Sequence, residues 1–88
     1  MGIHEAVTSR VQQLLKEKGW TTNELIRRSN VNQSTVSEIM SGRSKYPRII
    51  TIEKLANGFG MTLSEFFDHE SFHNLDEDIS EKKKALAR

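Results

Sequence analysis

The sequence predicts an all-α fold, and three observations support this prediction. Apolar residues recur at the i, i+3 and i+4 spacing of amphipathic helices along most of the chain. No stretch shows the alternating apolar and polar residues of a strand. Residue types that start and end helices separate the apolar stretches. With 88 residues, the chain is long enough for one small domain and too short for an enzyme with a deep cleft.

The first, fourth and fifth helices follow from apolar stripes and their end signals. The first begins near Ile3 and ends at Gly19. The fourth covers residues 49–59, and the fifth covers residues 63–67 with Thr62 as its cap. The side chains expected in the core are Val11, Leu14, Leu25, Val31, Val36, Ile39, Ile52, Leu55, Phe59, Met61, Leu63 and Phe66.

Gly58 is unusual because it lies inside the predicted fourth helix. Glycine in a helix interior costs about 0.5–1 kcal/mol relative to alanine. Two interpretations are open: another backbone segment approaches the helix at this position, or the helix is weaker there.

Residues 21–42 predict two short helices joined by a tight turn. Thr21 caps the first of them, and Glu24, three residues later, is in position to complete a capping box. Asn32 caps the next helix. These signals define the second and third helices of the domain.

The third helix combines a buried stripe with a polar start. Its stripe consists of Val36, Ile39 and Met40. The side chains outside the stripe are Gln33, Ser34, Ser37 and Glu38. Polar side chains at the start of such a helix are typical of a segment that reads base edges in the major groove. The two helices and their turn therefore predict a helix-turn-helix that binds double-stranded DNA.

Charge is distributed unevenly along the chain, although the net charge is only +1. Residues 1–67 hold nine Lys and Arg against six Asp and Glu, whereas residues 68–88 hold four against six. Arg43, Lys45 and Arg48 follow the third helix directly. A loop with this charge beside a reading helix is where DNA phosphates bind. The alternative is an ordinary solvated loop.

Several function classes are excluded or disfavoured by composition. The chain contains no cysteine, so it can form neither a disulfide nor a cysteine-based zinc site. Its first residues do not form a secretion signal, and no apolar stretch approaches membrane-spanning length. We therefore expect a cytoplasmic protein with no membrane association, no catalytic residues, no bound metal and no cofactor.

Several segments together resemble the Cro/C1-type (phage-repressor, XRE) helix-turn-helix family. They are Gly-Trp-Thr-Thr-Asn-Glu-Leu at 19–25, Val-Asn-Gln-Ser-Thr-Val-Ser-Glu-Ile at 31–39 and Ser-Gly-Arg at 41–43. Later segments match the family's fourth and fifth helices in order and spacing. The resemblance implies a five-helix, lambda-repressor-like domain over residues 1–67 and a separate tail over residues 68–88.

The resemblance also implies a function. Family members bind operator DNA, usually as two-fold dimers, with the third helix in the major groove, and many are repressors. Carried over by position, the base-reading residues are Gln33, Ser34, Ser37 and Glu38. The phosphate-binding residues are Thr22, Asn32, Arg43, Lys45 and Arg48.

Two departures from the family pattern affect this set. Many members have glutamine where this chain has Thr22, whose side chain is shorter. An acidic residue that pairs with a first-helix arginine is common where this chain has Met40. The second departure predicts that Arg10 is free to bind a phosphate as well.

The tail has the pattern of a sixth helix. Phe72, Leu75 and Ile79 lie at helical spacing on one side. A helix of this length is marginal alone in water, so it needs a packing partner. Together with Phe66 and Phe67, this stripe is the predicted homodimer interface, and simple fraying of the last residues is the alternative.

The segment His69-Glu70-Ser71-Phe72-His73 presents a rival hypothesis, because it satisfies the H-E-x-x-H zinc motif. On an α-helix, two histidines at this spacing can share a zinc ion while the glutamate activates water. Little chain follows the motif to build a substrate cleft. The runner-up to a DNA-binding regulator is an antitoxin or another protein-binding helix-turn-helix module, whose partner is a toxin or an antirepressor. A small zinc hydrolase is the third hypothesis.

Overall fold

The computed structural model describes residues 2–44, 46–73 and 75. Five α-helices and one 3-10 helix follow one another in this part of the chain. They are α1 (Ile3–Lys18), α2 (Thr22–Ser29), α3 (Gln33–Ser41), α4 (Ile49–Gly58), α5 (Leu63–Phe67) and the 3-10 helix (Glu70–Phe72). The described residues contain no strand. The predicted five-helix, all-α fold is confirmed.

Side-chain caps start three of the helices, as predicted. The side chains of Thr21, Asn32 and Thr62 accept hydrogen bonds from backbone N–H groups in the first turns of α2, α3 and α5. The predicted capping box of α2 is incomplete, because the Glu24 carboxylate binds Arg27 and Arg28 instead. Gly42 ends α3 in the left-handed conformation, with φ 78°.

The core lies between all five helices and consists mainly of the predicted side chains. The buried apolar residues are Ala6, Val7, Val11, Leu14, Leu15, Leu25, Val31, Val36, Ile39, Ile52, Leu55, Ala56, Phe59 and Phe66. Met61 and Leu63 were predicted to be buried, but both are half-buried and pack against this core from outside. They flank Thr62, which begins the short helix α5 at the surface.

The phenylalanines of α5 and the 3-10 helix pack within the chain. Phe66 is fully buried. Its ring centroid lies 5.4 Å from that of Phe67 and 6.2 Å from that of Phe72. The prediction that Phe66 lies at a dimer interface was therefore wrong, because its side chain fills the core. Phe67 and Phe72 are half-buried and contact each other edge to face at 4.9 Å.

The start of the predicted sixth helix is not α-helical. The 3-10 helix ends at Phe72, with His73 as its C-cap, and Leu75 is half-buried outside any helix. The prediction of an α-helical stripe beginning at Phe72 was wrong for these residues. The remainder of the stripe, including Ile79, lies outside the described residues.

Gly58 permits close contact between α4 and α2. A Cβ atom at this position would lie 2.8 Å from Ser29 Cβ, 2.9 Å from Ser29 Cα and 3.0 Å from Ser29 N. Backbone atoms are among these neighbours, so a side-chain rotation cannot relieve the overlap. Of the two interpretations of Gly58, the approach of another backbone segment is the one observed.

We expect Gly58→Ala to lower the free energy of unfolding by about 1–3 kcal/mol, which is typical of overpacking. The overlap with Ser29 outweighs the gain of about 0.5–1 kcal/mol that alanine gives in a helix interior. Urea unfolding followed by circular dichroism measures the difference. Asn57→Ala, at the exposed neighbouring position, is the matched control and should not destabilise. A Gly58→Ala protein as stable as wild type would contradict the close approach.

Candidate nucleic-acid interface

Helix α3 is held in place by burial of one face. Val36 and Ile39 are 2% and 3% exposed, and the Thr8 hydroxyl of α1 donates a hydrogen bond to the Ile39 carbonyl oxygen at 2.6 Å. This bond links α3 directly to α1, the longest helix in the described part of the chain. The orientation of α3 about its own axis is therefore fixed, and with it the direction of its polar side chains.

The opposite face of α3 is exposed to solvent and polar. All four predicted base-reading residues are exposed. We call them the reading face: Gln33, Ser34, Ser37 and Glu38. They line one shallow hollow together with Arg43. The structure thus brings the predicted base-reading side chains and one predicted phosphate-binding side chain onto a single surface.

Helix α2 borders one side of the reading face. Thr22 lies at the start of α2 and lines a hollow, here called the α2-side hollow, with Gln33, Ser37 and Arg43. The Arg43 guanidinium donates from Nε to the Ser41 hydroxyl at 3.1 Å. Its remaining N–H groups are available to a phosphate at this edge.

Helix α4 and the loop before it border the other side. A second hollow, here called the α4-side hollow, is lined by Asn32, Tyr46, Arg48 and Lys54. The Asn32 side-chain oxygen accepts from the Thr35 N–H at 2.8 Å, so its amide N–H groups remain available as donors. Arg48 is exposed. The position of Lys45 lies outside the described residues.

Two residues of the α4-side hollow were not among the predicted phosphate-binding residues. Lys54 is exposed on α4, six positions after Arg48, and Tyr46 is 83% exposed. Lys54 lies on α4, whose N-cap is Arg48, and it lines this hollow together with Asn32 of a distant segment. No local sequence pattern signals that second proximity. Tyr46 differs from Lys54, because its position between Lys45 and Arg48 in the basic loop is visible in the sequence.

Comparison with known proteins agrees with this geometry. A family model described as the Cro/C1-type HTH DNA-binding domain matches residues 10–71. The chain belongs to this family. A solved structure described as the prophage Lp1 protein 11 is similar, with a TM-score of 0.73 and 32% sequence identity, covering 85% of this chain and 100% of that chain. No curated protein matches the chain in sequence. Among the described residues, no helix is long and apolar enough to cross a membrane.

Arg10 does not take the role predicted for it in this Cro/C1-type domain. It is only 7% exposed, and its guanidinium donates to the carbonyl oxygens of Phe66 at 2.7 Å and Glu65 at 2.9 Å and to the Gln13 side chain at 2.6 Å. The prediction that Arg10 is free to bind phosphate was wrong. With no acidic partner at Met40, the arginine binds the carbonyl end of α5 instead.

The zinc motif does not adopt the geometry that its chemistry requires. His69 is extended, with φ −155° and ψ 148°, and caps a 3-10 helix of three residues. Its Nδ1 accepts from the Ser71 N–H at 3.1 Å and lies 2.8 Å from the Ser71 hydroxyl. The α-helix that aligns the two histidines of a H-E-x-x-H site is thus missing. Within the described part of the chain, no three His, Cys, Asp or Glu residues form a group that could hold a metal ion.

The Glu24 carboxylate accepts hydrogen bonds from both arginines of α2, Arg27 and Arg28. The hydrogen bond from Arg28, helped by the charge of Arg27, lowers the pKa of the Glu24 carboxyl below its ordinary value. Arg28 also stacks over Trp20, with its guanidinium carbon 4.4 Å from the ring centroid. These contacts bind both arginines to the protein surface, outside the two hollows that border the reading face.

We expect Arg10→Met to reduce stability without reducing the salt dependence of DNA binding. Methionine keeps much of the buried volume but leaves the carbonyl groups of Phe66 and Glu65 without their donors, which costs about 1–3 kcal/mol for a buried polar group. Urea unfolding and DNA titration at several salt concentrations measure the two effects.

Arg27→Met is the matched control, because the Arg27 side chain is 69% exposed and should change stability by less than about 1 kcal/mol. If the Arg10 variant kept its stability but its DNA binding depended less on salt, Arg10 would bind a phosphate after all.

Proposed function

We propose that the protein is a sequence-specific transcriptional regulator, acting as a repressor, that binds operator DNA by placing α3 in the major groove. The observation that carries this proposal is the exposed polar face of α3 between two hollows that contain basic side chains. A major groove about 12 Å wide admits one α-helix and is bordered by a phosphate backbone on each side. In the protein, the reading face is bordered on each side by a hollow with basic side chains, so it matches a groove bordered on each side by a phosphate backbone.

The side chains in each part have the chemistry that the part requires. Gln33 can donate and accept hydrogen bonds at once, as bidentate reading of adenine N6 and N7 requires. The hydroxyls of Ser34 and Ser37 can pair with several bases. Arg43 on one side and Arg48 on the other supply positive charge where the two backbones pass.

The small size of the reading face supports binding as a homodimer. Four side chains on a helix of nine residues contact only a few base pairs, too few for tight and specific binding by one copy. We infer a two-fold dimer on an inverted repeat, with half-site centres about 10–10.5 base pairs apart, so that both α3 helices enter the same side of the duplex.

Single substitutions of the two described border arginines test the phosphate contacts. Arg43→Ala and Arg48→Ala should each weaken binding to specific and random DNA alike. The slope of log K against log salt is negative, and each substitution should make it shallower by about 0.9 for every phosphate that the arginine neutralises. Lys16→Ala, an exposed cation in the last turn of α1 outside both hollows, should leave the slope unchanged. If the slope stayed at the wild-type value in both arginine variants, neither Arg43 nor Arg48 would contact a DNA phosphate.

Gln33→Ala tests base reading itself. We expect binding to the preferred operator to weaken by about 1–3 kcal/mol per half-site, with the effect concentrated at one base pair. Binding to random DNA should barely change, because the amide reads sequence and carries no charge. Selection of bound sequences from a random pool, with wild type and variant in parallel, measures the change in preference.

Gln12→Ala is the matched control, since this glutamine is exposed on α1 outside the reading face. It should return the wild-type consensus. If Gln33→Ala returned the same consensus as wild type, Gln33 would not be a base-reading residue. If wild type itself returned no consensus, the proposed function would be wrong.

A further inference from the structure

The Thr8 hydroxyl lies between carbonyl groups of two helices. Its oxygen is 3.1 Å from the His4 carbonyl oxygen of α1 and 2.6 Å from the Ile39 carbonyl oxygen of α3. A threonine inside a helix can donate to the carbonyl group four positions back in its own helix. A hydroxyl has a single proton to donate, and the shorter distance assigns most of that bond to Ile39. The chain therefore uses this hydroxyl for a contact between helices.

We propose that Thr8 is a positioning residue for base reading, because its hydroxyl holds the C-terminal half of α3 where Ser37 and Glu38 reach their base pairs. This inference rests on the proposed function and adds to it a residue outside the DNA-binding surface. Thr8 lines none of the hollows at the reading face and its two borders. Its substitution should nevertheless change which bases the protein prefers.

Burial of Val36 and Ile39 holds α3 against the core without fixing its exact position. Apolar burial is non-directional, so it allows a helix to slide or rotate slightly. A hydrogen bond is directional, and a hydroxyl donor lies only about 2.5–3.0 Å from its acceptor. In the described part of the chain, Thr8 is the only residue of α1 whose side chain hydrogen-bonds to α3. This bond is therefore the directional contact that sets α3 against α1.

The Thr8 bond acts on one half of the reading face. Ser37 and Glu38 immediately precede Ile39, whose carbonyl oxygen accepts the bond. Gln33 lies about 9 Å away along the helix axis, at 1.5 Å per residue, at the end of α3 that has its own side-chain cap. A recognition site requires its side chains within about 0.5 Å of the productive geometry. Loss of the bond should therefore impair reading by Ser37 and Glu38 and spare reading by Gln33.

Loss of the Thr8 hydroxyl should leave the fold intact. The Ile39 carbonyl oxygen also accepts from the Gly42 N–H at 3.2 Å, so it keeps one hydrogen bond. Thr8 is half-buried and lines a hollow with Gln12 and Met40, so water can reach the vacated position. The role of the hydroxyl in base reading can therefore be measured separately from folding.

The test isolates the hydroxyl with a pair of variants. Thr8→Ala and Thr8→Ser both lose the methyl group of threonine, and only Thr8→Ser keeps the hydroxyl. Ser9→Ala is the control, because it removes a half-buried hydroxyl of α1 from the same hollow. Each protein is used to select bound sequences from a random DNA pool, and thermal unfolding checks that it is folded. Parallel selections with Gln33→Ala and with Ser37→Ala/Glu38→Ala identify the base pairs that each half of the reading face reads.

Thr8→Ala should lose about fivefold or more of the preference at the base pairs assigned to Ser37 and Glu38, which is within the range for a lost base contact. At the base pair assigned to Gln33 its preference should stay within about twofold of wild type. Thr8→Ser and Ser9→Ala should return the wild-type consensus.

A Thr8→Ala protein that returns the wild-type consensus would overturn the inference and leave the proposed function intact. Equal losses at both sets of base pairs, or a loss that persists in Thr8→Ser, would overturn it as well. Failure of Thr8→Ala to fold would assign the hydroxyl to stability and would also overturn it. A wild-type consensus from Ser37→Ala/Glu38→Ala would leave Thr8 no contact to position, with the same consequence. If the wild-type chain itself selected no consensus, the proposed function would be refuted.

Discussion

The packing of α3 against α1 is the constraint on which the proposed DNA-binding surface depends. A helix of nine residues is not stable alone in water. Burial of Val36 and Ile39, together with the hydrogen bond from Thr8 to the Ile39 carbonyl, supplies the missing stabilisation. The same contacts fix which residues face outwards. The reading face is thus a consequence of core packing, because each buried position determines the exposed positions beside it.

The rest of the domain supports this arrangement through contacts between distant parts of the chain. Gly58 allows α4 to contact the last residue of α2, immediately before the turn that leads into α3. Arg10 joins α1 to the carbonyl end of α5. Both residue types are unexpected at their positions by local criteria, since glycine weakens a helix and a buried arginine needs partners. Their tertiary neighbours explain both.

Sequence reasoning succeeded where the signal is local. Local signals include helix caps such as Asn32 and helix-ending glycines such as Gly19. The buried residues Val36 and Ile39 of α3 are a further local signal. These signals act within one or two turns, so they predict the helices and the outward direction of the reading face. It failed for Arg10 and Phe66. The Arg10 side chain binds the Phe66 backbone across 56 positions of the chain, and no local pattern records such a contact. The apolar pattern from Phe72 predicted an α-helix, but His69 caps a short 3-10 helix that ends there.

The central claim is that the exposed face of α3 and its two borders form the DNA-binding surface. The most direct measurement is an amide NMR titration of the isotope-labelled chain with a duplex that carries the selected operator. We predict that the amide chemical shifts change most at the starts of α2 and α3 and around Arg43 and Arg48, and change little in α5 and the 3-10 helix. Changes concentrated in α5 and the 3-10 helix, with the amides of α3 unaffected, would contradict the claim.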